Sequence, residues 1–380
     1  MATIRLSEIS ITRGRLRSRG AWGRVAQVLP RGPRPFVLAP LTLTVPHGQT
    51  LVILGPSGCG KSTLLRIIAG LDRPDSGRVL FNGRDVAELS PGQRRIGYLF
   101  QSYALYPHFT SRENITSYFF FRRRTPEMIA LRERVFQRTS ELLDVDVSYL
   151  LERKPSRLSG GEKQRVALGR CITREPELFL LDEPFSNLDA KLRARYRLHL
   201  KTLLREFAIT TVYVTHDQQE AVMLGDRIAV MRMHSHEDRN QGSLEQVGTV
   251  RELYEHPANR FVADFLNLHT DVPAISFVPG GHLAAGLGHC VVGVRPEDVE
   301  VATGAPGIPA VVEEASEDPL RQHRILILRV GTDEVVAKTL PGTPGAPGET
   351  VWLRFRAYHL FDRVSGEALL PGEAARAALG

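Results

Sequence analysis

The feature that most constrains this chain is the run Gly55-Pro56-Ser57-Gly58-Cys59-Gly60-Lys61-Ser62-Thr63, set between apolar Leu51–Leu54 and apolar Leu64–Ala69. It fits the pattern G-x-x-x-x-G-K-[ST], which needs a strand before it and a helix after it. The glycines let backbone N–H groups turn inward around a β-phosphate, and the helix N-terminus adds positive partial charge. Lys61 is placed to reach the β- and γ-phosphates, and the Ser62 hydroxyl to bind Mg²⁺. Cys59 reads as a small residue that the loop tolerates, not as a nucleophile. A strand–loop–helix unit of this kind commits the chain to an α/β core.

A second apolar stretch, Leu178–Leu181, ends in two carboxylates, Asp182 and Glu183. Beside a phosphate loop these become the other half of a nucleotide site. Asp182 is expected to hold Mg²⁺ through its water shell, and Glu183 to polarise the attacking water as a general base.

Between the two lies Leu158-Ser159-Gly160-Gly161-Glu162-Lys163-Gln164-Arg165. Ser159 with Glu162 makes a capping box, which by itself explains only a helix start. The adjacent glycines remain, exposing backbone N–H groups at that start. Such a terminus suits a γ-phosphate presented by another subunit.

The 380-residue chain has room for two or three domains, and 42% hydrophobic with 24% charged residues is ordinary for a globular protein. Its apolar runs all fall short of the roughly 20 residues needed to span a bilayer; Tyr118–Phe121 stops at Arg122-Arg123-Arg124. The N-terminus carries no apolar h-region, so the chain is expected not to be secreted. Cys59, Cys171 and Cys290 form neither a metal pattern nor a disulfide framework, which fits a reducing compartment. A net charge of +7 suits nucleic acid or an anionic membrane surface without choosing between them.

Along the chain, Thr3–Ile9 reads as a strand, followed by an exposed Arg- and Gly-rich loop or insertion from Arg13 to Pro35. Val37–Val45 alternates like a strand. Thr125–Leu143 reads as a helix, with Thr125 as cap, Pro126 in the first turn, and Met128, Ile129, Val135, Phe136, Leu142 and Leu143 on its buried face. Further expected elements are a helix from Ser159, a helix at Ala190–Glu206, and strands at Thr211–Thr215 and Ile228–Met231. Alternating strands and helices imply a mostly parallel sheet. Beyond Gly242, short β-like runs such as Val291–Val294, Arg324–Val330 and Val351–Phe355 alternate with Gly/Pro turns, which predicts a small β-barrel-like second domain.

The signature at Leu158–Gly161 and the phosphate loop together resemble an ABC-transporter ATPase. The likeness is dense over residues 37–232. On that resemblance, Gln101 in Leu99–His108 matches the family's Q-loop, contacting Mg²⁺ or the attacking water and sensing the permease. Ser186-Asn187-Leu188-Asp189 matches the D-loop that crosses the dimer interface, and His216 matches the switch histidine that contacts the γ-phosphate. The family implies a head-to-tail dimer in which one subunit's Gly55–Thr63 and the other's Ser159–Gly161 hold each ATP. Hydrolysis then requires closure, because only the dimer assembles all donors to the γ-phosphate. The implied architecture is a P-loop ABC ATPase core over 1–240, with a helical subdomain at about 102–165, followed by a connector and an OB-like regulatory domain over 241–380.

Tyr103–His108 with Arg112–Ile115, Ser186–Arg193, Tyr213–Ala221, and the C-terminal runs Val294–Asp298 and His359–Asp362 resemble the carbohydrate-importer branch, of maltose and glycerol-phosphate type. Polyamine, iron and sulfate importers share this layout. The implied partners are two transmembrane permease subunits, an extracytoplasmic solute-binding protein and a second ATPase subunit, identical or not. The implied place is the cytoplasmic face of the inner membrane, peripherally, with no nucleic-acid partner.

Two departures stand out. The family stacks adenine on an aromatic residue near the place of Arg13-Gly14, where none stands; Trp22 and Phe36 are the nearby candidates. Met233–Gly242 is longer than usual, and its His234-Ser235-His236-Glu237-Asp238 lacks a third ligand for a metal, so it reads as a solvated loop. The competing class, a soluble ABC ATPase acting on nucleic acid or ribosomes, is disfavoured: about a hundred residues without sustained heptads separate loop from signature, and the chain has one ATPase unit. A P-loop kinase or GTPase leaves Ser159-Gly160-Gly161 unexplained.

Overall fold

The computed structural model describes residues 2–13, 35–121, 123, 125–142, 148–186, 190–267, 272–282, 287–318 and 322–370. It divides into two compact units, Met1–Leu244 and Glu245–Gly380.

The first unit begins with β1 (Ile4–Arg13), β2 (Phe36–Val45) and β3 (Thr50–Leu54), then α1 (Lys61–Ala69), β4 (Ser76–Phe81), β5 (Arg84–Asp85) and β6 (Ile96–Leu99). The helical stretch follows: α2 (Ser111–Thr116), α3 (Pro126–Leu142), α4 (Ser148–Leu151) and α5 (Gly160–Ile172). The core resumes with β7 (Leu178–Asp182), α6 (Ala190–Phe207), β8 (Thr210–Thr215), α7 (Gln218–Leu224), β9 (Arg227–Ser235) and β10 (Asn240–Gly248). One ten-stranded sheet runs β5-β4-β1-β2-β10-β9-β3-β8-β7-β6. Every residue of β3 and β8 is buried, as expected of parallel strands covered on both faces.

Beta-strand β2 accommodates Pro40 at an irregularity, where Leu41 pairs with Ile9 but Leu38 with Ile11; proline lacks a ladder donor and is tolerated at such a bulge. Helix α1 ends at Gly70 in the left-handed region, and buried Arg94 donates to the terminal carbonyls of Ile67 and Ile68 at 3.2 and 2.7 Å. A cation there complements the negative end of the helix and adds to the Gly70 N–H bond that Ile67 O already accepts.

Three expectations need correction. Arg13 is not in a solvated loop: it closes β1 opposite Phe36 and pairs with Asp72, which also receives Arg66. On α3, Val135 and Phe136 are buried but Ile129 is 50% exposed, because the helix packs through its second half. Met233–Gly242 is a hairpin rather than a loop. Met233–Ser235 extends β9, while Asn240–Gly242 pairs in parallel with Phe36–Leu38, so backbone pairing overrides the polar composition. Within it, His234 Nε2 lies 2.9 Å from Ser243 Oγ. Leu143 lies outside the described residues.

The second unit carries α8 (Val250–Glu255) and α9 (Arg260–Phe265), then β11 (Ser276–Pro279), β12 (Cys290–Val294), β13 (Val299–Ala302), β14 (Ile308–Asp318), β15 (His323–Val330), β16 (Asp333–Thr339), β17 (Thr350–Phe355), β18 (His359–Asp362) and β19 (Ala368–Leu370). A sheet β11-β12-β18-β19 and a sheet β13-β17-β14-β15-β16 are both antiparallel. They share one core that includes Val278, Val292, Val312, Leu326, Leu353 and Leu360. Buried Arg295 donates to the carbonyls of Ala274 and Tyr254 and lies over the Tyr254 ring, so the Val294–Asp298 motif is a structural pin.

Candidate nucleotide site

The loop after β3 lies where the parallel strands end. Gly60 caps α1 with φ of 103°, and a Cβ there would fall 2.7 Å from Cζ of Phe36. Both the left-handed backbone and the ring beside it therefore require glycine. Lys61 is 5% exposed, and its Nζ donates to the carbonyls of Gly55 and Pro56 at 2.8 and 2.9 Å. The ammonium is thus folded across the mouth of the loop. Cys59 is fully buried, and burial pushes its thiol above the ordinary value. It packs inside the loop as a small residue.

Parallel pairing of β3 with β8 and of β8 with β7 brings the ends of three strands together. Ser62 Oγ, exposed at the start of α1, donates to Asp182 Oδ1 at 2.8 Å, and Tyr98 OH donates to Oδ2 at 3.3 Å. Burial raises the Asp182 carboxyl above its usual value, against the opposing hydrogen bonds from Ser62 and Tyr98. Burial also raises the Tyr98 phenol, with Asp182 adding to the effect. The oxygens of Ser62 and Asp182 form a hard donor set of the kind Mg²⁺ takes.

Glu183 occupies the left-handed region at φ of 44°, with its N–H bonded to Val214 O at 3.0 Å. Both oxygens of its carboxylate have side-chain partners. Gln101 Nε2 donates to Oε2 at 3.1 Å, and His216 Nδ1 lies 3.1 Å from Oε1. Strained backbone of this kind persists where the surroundings hold it.

Ser159 caps α5 in a reciprocal box with Glu162, Ser159 N–H donating to Glu162 Oε2 at 2.7 Å and Glu162 N–H to Ser159 Oγ at 3.3 Å. Gly160 and Gly161 form the first turn of α5. Gly161 also has a local reason to be glycine, since a Cβ would fall 2.7 Å from Cζ of Tyr196 on α6. Asp189 and Trp22 lie outside the described residues.

The structure thus gathers Lys61 and Ser62 with Asp182, and Gln101 and His216 with Glu183. It also adds residues that no short motif announces. Arg170 of α5 donates to the carbonyls of Tyr103 and Ala104, both at positive φ, at 2.9 and 2.6 Å. Tyr103 OH donates to Pro184 O at 3.3 Å. The loop after Gln101 is therefore tied to the residue that follows Glu183. A positively charged residue five positions after Arg165 on a helix was the only signal for Arg170.

Residues 38–186 match the family described as ABC transporter. The sn-glycerol-3-phosphate import ATP-binding protein UgpC of Salmonella typhi is 41% identical over 356 residues, covering 88% of this chain and 96% of the relative. The trehalose/maltose import ATP-binding protein MalK of Thermococcus litoralis is 41% identical over 366 residues, covering 87% and 94%. UgpC of Brucella abortus biovar 1 is 46% identical over 270 residues, covering 70% and 73%. Among solved structures, the dimeric bacterial ABC transporter cassette MJ0796 aligns with a TM-score of 0.51 at 28% identity, covering 65% of this chain and 98% of that one.

Proposed function

The chain belongs to the ABC transporter family of ATPases, and on that premise we propose that it hydrolyses ATP to drive an importer for a sugar or glycerol phosphate. Relatives named for sn-glycerol-3-phosphate and for trehalose/maltose match over most of the chain at the same 41% identity; they motivate both solutes. The observation that carries the reading is Glu183, whose two carboxylate oxygens are held by Gln101 and His216 next to the Ser62–Asp182 pair.

In this reading the γ-phosphate lies between Lys61 and the end of β7, and Glu183 Oε1 or Oε2 accepts the proton of the attacking water. His216 orients that carboxylate and contacts the γ-phosphate. When bound at Ser62 and Asp182, Mg²⁺ neutralises charge on the β- and γ-phosphate oxygens. The sheet order supports one direction for the nucleotide. From β3, strands β8 and β7 lie on one side with His216 and the carboxylates, while β9, β10 and β2 lie on the other. The nucleoside therefore belongs on the β2 side, where the Phe36 ring touches Gly60 and also Gly242 of β10. Phe36 is its apolar platform in place of the aromatic missing at Arg13.

Two such subunits associate head to tail, each lending Ser159–Gly161 to the other's ATP, with Asp189 at the interface. They dock on two permease subunits at the cytoplasmic face of the inner membrane, supplied by a solute-binding protein. Among the described residues no helix is long and apolar enough to cross a membrane. The second unit is the regulatory domain. The test is ATPase activity in a transporter reconstituted with its permeases, assayed with binding proteins for glycerol phosphate, maltose-type sugars and polyamines in turn. Stimulation by a polyamine-loaded protein alone would remove the carbohydrate assignment.

A further inference from the structure

His216 carries a ring that is 55% exposed on a backbone that is tightly fastened. On one side, Thr215 Oγ1 donates to Glu220 Oε2 at 2.7 Å and accepts the Asp217 N–H at 2.9 Å. On the other side, Asp217 caps α7 by accepting the Glu220 N–H at 3.2 Å. Buried Tyr213 also donates to Glu220 Oε2, at 2.7 Å. Burial raises the Glu220 carboxyl above its usual value, against the bonds from Thr215 and Tyr213.

All of this is gripped from α6. Arg197, 7% exposed, donates to Asp217 Oδ2 at 2.6 Å and to Gln219 Oε1 at 3.1 Å, and its Nε lies 3.6 Å from Glu220 Oε1. A planar guanidinium can hold several acceptors in one geometry; an ammonium on a flexible stem cannot. Arg193, one turn earlier, lies 3.7 Å from the same Asp217 oxygen. The residue beside Arg197 on α6 is Tyr196, whose ring fills the space that a side chain on Gly161 would need. Adjacent residues of one helix thus touch the start of α5 and the turn that carries His216.

We propose that Arg197 is a positioning residue for His216, and that α6 ties the Gly160-Gly161 turn to that histidine within one subunit. This rests on the reading of His216 as a contact to the γ-phosphate. A subunit whose α5 start engages its neighbour's ATP then sets its own histidine through a rigid helix, and backbone strain at the loop is not required. The link is local and contiguous, a network of packed and charge-assisted contacts.

The experiment is a double-mutant cycle in the full-length chain with Mg²⁺ and ATP, crossing Arg197→Lys with His216→Ala and following steady-state hydrolysis. Arg197→Lys keeps the charge and removes the fork. Alone, it should lower kcat about tenfold with KM for ATP within roughly twofold. In the His216→Ala background it should change the residual rate by less than about twofold, because the group it positions is gone. A parallel cycle with Tyr196→Leu should show the same non-additivity with a smaller first step. Additive losses, or an unchanged rate for Arg197→Lys, overturn the proposal while leaving the reading of His216 intact. Wild-type turnover by His216→Ala overturns both. Thermal unfolding of each variant is run alongside; a loss of rate that tracks a loss of Tm also counts against positioning.

Discussion

Glu183 and His216 meet at 3.1 Å across the ends of two neighbouring parallel strands, with Gln101 on the other oxygen of the same carboxylate. A base held on both oxygens has its orientation set before water arrives. Glu183→Gln preserves shape and removes the base. Its hydrolysis rate is expected to fall by about 10²–10⁴-fold while ATP binding and ATP-driven dimerisation persist. Single-turnover hydrolysis with size-exclusion chromatography reads both, and near-normal turnover would take the base role from Glu183.

Ser159→Arg and Lys61→Ala damage opposite halves of a shared site. Each variant alone should be inactive, whereas an equimolar mixture regains roughly a quarter of wild-type activity, since half of randomly formed dimers are mixed and each has one intact site. If both variants fold and every mixing ratio stays inactive, the head-to-tail geometry is wrong.

Phe36→Ala should weaken ATP about tenfold, the usual worth of an aromatic platform, while leaving inorganic tripolyphosphate bound as before. Phe36→Trp should retain ATP and give a fluorescence signal quenched by it. Equal loss for ATP and tripolyphosphate would mean that the ring merely supports the loop.

His359 on β18 gives the second unit a pH dependence of known sign. Burial, then the nearby charges of Arg295 and His256, lower its pKa from 6.5 to about 4. Between those values the unfolded chain binds the proton and the folded chain does not, so this contribution is complete above pH 6.5 and is lost as pH falls towards 4. The loss is on the order of 3 kcal/mol at most. Urea midpoints measured from pH 7.5 to 4.5 should decline for the wild type and decline less for His359→Gln. Parallel declines would remove His359 as the cause.

The phosphate loop, the strand ending in Asp182-Glu183 and the capping box at Ser159 were legible because each is a local arrangement whose chemistry lies within a few consecutive residues. The groups that orient them were not. Arg170 reaches backbone carbonyls 66 and 67 residues away, and Arg197 grips a turn 20 residues on. Nothing in the sequence near either arginine distinguishes it from a solvated charge until the helices are packed. The β9–β10 hairpin was hidden for the opposite reason. Its polar run lacks the alternation that marks a strand, yet its backbone pairs with Phe36–Leu38, and only glycine fits at position 242 against the Cys59 carbonyl.

That hairpin suits the protein to optical readout. Arg13, Pro35 and the turn at residues 236–239 all lie at one end of the sheet, beside the phosphate loop. A dye on exposed Glu237 or Asp238, between the two strands, interrupts no ladder. Paired with a quencher on the nucleotide, it would time the arrival and departure of ATP during turnover, leaving every group of the reaction centre untouched.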